Sequence, residues 1–221
     1  MSSTVGSRAA RALLYNLLAL ALVLVSGGVA LAYGIDALGR QGYTVIRLDD
    51  ETPAVKRTIA GRDLSIPLSW FRYGEQAQEG FASQVDLAVD VPIGKGGALS
   101  RVDITLLPRS RARPSSSLLD GVYLHQFDAT DVTGAPGLVG KPLIASAGFD
   151  DETVWYDPLS SDPFVAKCMD PVRGRKDGQC LRTVMLKSGI AVVYSFTSDA
   201  LASWRSFDRN LTPWLQRIGA L

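Results

Sequence analysis

From position 12 to position 34 the chain reads ALLYNLLALALVLVSGGVALAYG, without one charged residue. Its apolar positions run all round rather than forming the stripe of a helix that lies on a soluble core. At about 1.5 Å per residue, a helix of this length crosses a hydrocarbon layer of roughly 30 Å with some tilt. Asn16 is its only strongly polar side chain. Past this run the period changes. Val85, Leu87, Val89, Val91 and Ile93 alternate with Asp86, Ala88, Asp90 and Pro92, which predicts a strand with one buried face. Gly94-Lys95-Gly96-Gly97 reads as a turn, and 99–108 as the antiparallel partner.

The same reading predicts short strands at 43–48 and in 55–67, the latter a hairpin turning at Ala60-Gly61-Arg62. Residues 68–76 read as one or two helical turns and 108–117 as a polar loop. A short helix or helix-to-strand turn is expected over 118–127. Strands are expected near 138–146 and 154–156, and on both sides of the cysteine loop. The near-continuous apolar run 189–196 suits a strand covered on both faces. In the last 25 residues Leu201, Trp204, Leu211, Leu215 and Ile218 recur at helical spacing. Thr197 or Ser198 can cap that helix, and Pro213 is expected to kink or restart it. Strands first and a terminal helix last predict an α+β class with a mainly antiparallel sheet. The organisation is then a tail (1–11), a transmembrane anchor (12–34), a connector (35–42) and one α+β domain (43–221).

Charge fixes the orientation. The chain has 23 Lys and Arg against 22 Asp and Glu, so nothing pulls it globally towards nucleic acid. Arg8 and Arg11 precede the apolar run and no acid does. By the positive-inside rule the tail stays cytoplasmic and the rest is exported to the periplasm, with the anchor in the inner membrane. The rival reading is a signal peptide cleaved after Ala32, since Ala30-Leu31-Ala32 fits the small-x-small pattern. The apolar run is longer than such peptides need, and both readings export the domain.

Cys168 and Cys180 are the only cysteines and His125 the only histidine. A structural zinc site wants four ligands of these types, and a thioredoxin-type site wants Cys-x-x-Cys. In an oxidising compartment two such cysteines read as a structural disulfide. The turn residues between them suggest a hairpin whose base it closes.

Candidate chemistry is sparse. His125 would have to serve any Ser-His or Cys-His scheme, and no Gly-x-Ser-x-Gly elbow accompanies it. Asp150, Asp151, Glu152 and Asp157 offer oxygens but lack the loop pattern of an EF-hand; they read as a solvated loop. Asp128 and Asp131 read as turn caps. Gly94–Gly97 is no phosphate loop. Trp70, Trp155, Trp204 and Trp214 read as core anchors. Arg109, Arg111 and Arg113 alternate in one loop, and Arg173, Arg175 and Lys176 crowd the cysteine loop with Lys167. Were the loops neighbours, they would form a patch for an acidic partner or anionic headgroups. No catalytic set, metal or cofactor is expected.

The N-terminal run, VDLAVDVPI with VDITLLP, and FVAKC with CLRTVMLKSGIAVVYSFTSDALASWRSFDRNL resemble a group of membrane-anchored envelope proteins of Gram-negative, mainly alphaproteobacterial, bacteria. That group has no assigned activity. The resemblance implies the anchor, the export and the disulfide, and carries no functional residue. The expectation is a non-catalytic binding or accessory protein of an envelope complex, with an envelope or membrane-protein partner. The alternatives are an envelope hydrolase whose carboxylates converge in the fold, and a periplasmic small-ligand binder released after Ala32.

Overall fold

The computed structural model describes residues 5–41, 45–49, 51–145, 151–171 and 178–221. The uncharged run is the middle of one long helix, α1, spanning Val5–Gln41. Its stretch Leu14–Gly34, 21 residues of mean hydropathy 2.2, is 0% buried. The segment expected as a connector is helical as far as Gln41. The chain divides into two units, Met1–Thr44 and Val45–Leu221.

In the second unit the strands are β1 (Ala54–Ile59), β2 (Arg62–Pro67), β3 (Gly80–Phe81), β4 (Val85–Val91), β5 (Ser100–Pro108), β6 (Val139–Pro142), β7 (Glu152–Tyr156), β8 (Val165–Met169), β9 (Gln179–Met185) and β10 (Ile190–Thr197). Helix α2 covers Ser115–Gly121 and α3 covers Trp204–Arg217. Three strands form a small sheet in the order β2-β1-β3, and seven form a larger one in the order β4-β5-β10-β9-β8-β7-β6. Every neighbouring pair in the larger sheet is antiparallel. The expected α+β class with a C-terminal helix and a disulfide hairpin is what the chain forms.

The β1–β2 hairpin turns on two residues, Ala60 and Gly61, with φ of 52° and 76°. Two positive φ angles in a two-residue loop make the turn whose twist matches the strands, and they suit Asn or Gly better than Ala. Ala60→Asn is expected to stabilise the unit by about 0.5 kcal/mol. A lower denaturation midpoint for that variant would show the turn to be otherwise.

One face of the large sheet carries the main core. Val85, Leu87, Val89 and Val91 of β4 lie there with Val102, Ile104 and Leu106 of β5 and Val192, Tyr194 and Phe196 of β10. Helix α3 lies against them through Phe207, Leu211, Trp214 and Leu215. Phe207 meets Phe164, Tyr194 and Phe196 at 4.5–5.9 Å between ring centroids. Trp214 meets Trp70 at 4.8 Å. Burial pushes the Tyr194 phenol far above its usual range, and the Asp208 carboxylate adds to it. α3 begins at Trp204 after a 3-10 stretch from Ser198, later than the expected caps, and runs unbroken through Pro213.

Three further expectations need correction. First, 45–49 is not a strand; Ile46 is 7% exposed and donates its N–H to Asp90 Oδ2 at 2.7 Å. Second, α2 starts at Ser115, inside the stretch read as a polar loop. Third, β4 is buried on both faces. The side with Asp86 and Asp90 is covered rather than solvated.

Asp86 explains the cover. Its carboxylate accepts from Gln76 Nε2 (2.8 Å), Gln84 Nε2 (2.9 Å) and Thr105 Oγ1 (2.6 Å), and its N–H donates to Gln76 Oε1 (2.7 Å). Burial raises its pKa, but the three side-chain donors and the Arg72 charge outweigh that, so the carboxyl sits below its ordinary value. A lowered folded-state pKa contributes stability above the unfolded value near 3.9, and this is lost as pH falls through the folded value. Stability should therefore fall more steeply from pH 5 to 3 in the native chain than in Asp86→Asn. Parallel acid profiles of the denaturation midpoint would remove Asp86 from the account.

Candidate binding groove

Where β7 leaves Thr153, β8 reaches Met169, β9 begins after Gly178 and β10 passes into Ser198, the ends of four strands meet. A cleft of about 610 Å3 opens there, between the irregular 132–136 segment and the 3-10 stretch 198–203. Its volume is that of an ordinary ligand cleft, within about 300–1,000 Å3. Val132, Pro136, Trp155 and Leu201 supply apolar lining; Lys95, Ser198, Asp170 and Asp199 supply polar groups.

Trp155 builds one wall. It is 9% exposed on β7. A Cβ at Gly140, opposite it on β6, would lie 2.6 Å from the indole, and one at Gly134 would lie 2.1 Å from it. The ring is thus held between two glycines, one from the next strand and one from the 132–136 segment. That close approach is what a glycine inside a strand serves. Gly140→Ala is expected to cost about 2 kcal/mol by overpacking and to displace the indole from the groove. Unchanged stability together with unchanged Trp fluorescence would contradict the wedge.

The disulfide lies against the cleft. Cys168 and Cys180 are directly opposed in the β8–β9 pairing, with Cα atoms 3.9 Å apart. Cys168, 5% exposed, is part of the lining, and Cys180 is 0% exposed. The bridge closes the hairpin base as expected. Gly178 O accepts from the Ser198 N–H at 2.9 Å, which ties the far side of the hairpin to the end of β10. Behind the groove Arg182, 8% exposed, reaches from β9 to α3. It donates to both Asp208 oxygens (3.2 and 2.6 Å) and to Val165 O (3.3 Å), and its guanidinium lies 4.5 Å from the Phe164 ring.

The residues singled out from the sequence fall elsewhere. Arg109, Arg111 and Arg113 follow β5, whose last residue pairs with Ile190 at the start of β10. The cysteine hairpin lies at the other end of β10, where Gln179 pairs with Thr197. Seven residues of strand separate these points, about 23 Å. Arg173, Arg175 and Lys176 lie outside the described residues, as does Asp150. Lys167 pairs with Glu152 at 2.6 Å, and that carboxylate adds to the burial that raises the Tyr123 phenol. Asp128 accepts from the N–H and hydroxyl of Thr130 in a turn, which holds its carboxyl below the usual range. Asp131 pairs with Lys141. His125 is exposed in a 3-10 turn. Among the described residues no three His, Cys, Asp or Glu gather as a metal site needs.

The groove itself was not anticipated, because loops distant in sequence form it. One signal was available: Gly140 interrupts a strand-like run, and an isolated glycine there marks a close backbone approach. Chemically the lining holds hydroxyls and two carboxylates but no imidazole, and Asp199 already accepts from Thr197 Oγ1. The arrangement suits a non-covalent occupant with an apolar middle and polar ends.

No protein-family model and no curated protein sequence matches the chain. Among solved structures it is similar to an immunity protein of the Stenotrophomonas maltophilia type IV secretion system. The identity is 11% and the TM-score 0.49, over 75% of this chain and 93% of that one.

Proposed function

We propose that the chain is an inner-membrane-anchored binding protein of the bacterial envelope. Its N-terminus is cytoplasmic and its second unit periplasmic. The observation that carries this is α1, whose 21-residue apolar stretch is entirely unburied and so needs a hydrocarbon environment to cover it. The cross-strand disulfide supports an oxidising compartment for the second unit. The protein acts by binding, and the groove beside the disulfide receives an extended segment of a protein partner. Anchoring raises the local concentration of the groove around membrane partners, so a modest cleft suffices.

The test is site-specific photocrosslinking in intact cells. A crosslinker at Pro136 or Ala202, on the groove, should yield one adduct of defined mass. A crosslinker at Leu159, 93% exposed away from it, should not. Equal adducts from all three positions, or none from the groove, would remove the partner reading. Small-molecule adducts alone would favour the ligand-binding alternative.

A further inference from the structure

Phe81 is 88% exposed, in a strand of two residues at the edge of the small sheet. Two arginines bracket that strand. Arg57 Nη1 donates to Gln78 O at 2.5 Å on one side, and Arg111 Nη1 donates to Ser83 O at 2.9 Å on the other. The second bond brings the 109–113 loop onto the strand. Arg109, Arg111 and Arg113 are all exposed there, and none has an ion pair among the described residues. Two exposed acids lie near the same strand, Glu79 beside it and Asp63, which accepts from Thr58 Oγ1 in the row of Phe81, against the three exposed arginines of the loop.

We infer that this surface docks onto anionic lipid headgroups, with Phe81 entering the acyl boundary; the inference rests on the anchored reading above. An exposed apolar side chain beside a loop of three exposed arginines is the chemistry of an interfacial contact. A protein interface of standard size wants about 800 Å2 per partner, with several anchors packed together, and one isolated phenylalanine does not supply them. Each arginine adds only a little affinity for an anionic surface. The patch therefore suits a domain that α1 already keeps beside a bilayer, where the second contact is intramolecular. Docking would fix how the domain presents its groove along the membrane.

The test uses the full chain in lipid nanodiscs, with Ser83→Cys labelled by bimane while the native cysteines stay bridged. Ser83→Cys keeps the backbone carbonyl that Arg111 holds. Quenching by nitroxide-headgroup lipid should be at least threefold stronger in discs with one-third phosphatidylglycerol than in zwitterionic discs. Phe81→Ser, and separately the triple change Arg109→Gln, Arg111→Gln and Arg113→Gln, should bring it to the zwitterionic level, as should 0.5 M salt. Equal quenching in both discs, or indifference to these changes, overturns the patch while leaving the anchor intact. A probe that responds only when an acidic protein is added overturns it too. A chain not retained in the discs overturns the anchor and the patch together.

Discussion

Loss of the Cys168–Cys180 bridge is expected to lower the stability of the Val45–Leu221 unit by about 3 kcal/mol. The bridged residues are 12 apart in sequence, and opening that loop returns conformational entropy to the unfolded chain. The consequence is uneven. β8 pairs with β9 through only three residue pairs, the bridged one in the middle. β7 and β6 attach to the sheet through β8. Reduction should therefore loosen β6, β7 and β8, and with them the Trp155 wall of the groove, before it affects β4 and β5. The double change Cys168→Ala and Cys180→Ala should lower the denaturation midpoint accordingly. Hydrogen exchange should quicken in 139–142 and 152–169 more than in 85–108. An unchanged midpoint, or an even rise in exchange, would mean that the bridge does not hold this half of the sheet.

Phe207→Ala is expected to cost more, about 4 kcal/mol, because the ring is fully buried and its removal leaves a cavity among Phe164, Tyr194 and Phe196. For a unit of this size that is a fall of roughly 10 °C in Tm. Phe207→Leu keeps most of the volume and should cost under half as much. Arg182 makes the site sensitive, since its buried guanidinium depends on Asp208, one residue further along α3. A displacement of the helix would strain that pair. If the alanine and leucine variants melted together within 2 °C, the aromatic contact between α3 and β10 would not be what seats the helix.

Period-two alternation and turn residues made the hairpins legible. The β4–β5 pair and the Ala60-Gly61 turn follow from positions that local chemistry fixes. The second cover of β4 was not legible. It depends on Asp86 meeting Gln76, Gln84 and Thr105, and an acid in an alternating strand looks the same whether water or a loop receives it. The apolar stretch 43–48 resembles a strand, yet Ile46 is bound through Asp90 instead of a ladder, a contact spanning 44 positions. In α3 the spacing showed the apolar face and Trp214 read as an anchor, but Phe207 did not stand out although it shares the spacing of Leu211 and Ile218. The long apolar helix α1 was legible because uniform apolarity needs no partner to be recognised. The groove was not, because Trp155, Gly134, Leu201 and Asp170 come from four separate segments.

The proposed protein is an anchored chain whose second unit lies on the oxidising side of a membrane. It is tested most directly by maleimide labelling of carbonate-washed membranes, followed by denaturing electrophoresis. An anchored, bridged chain should be found whole, at 23.7 kDa, in the pellet, unlabelled when denatured without reductant and doubly labelled after reduction. A chain in the wash, or two thiols labelled before reduction, would contradict it.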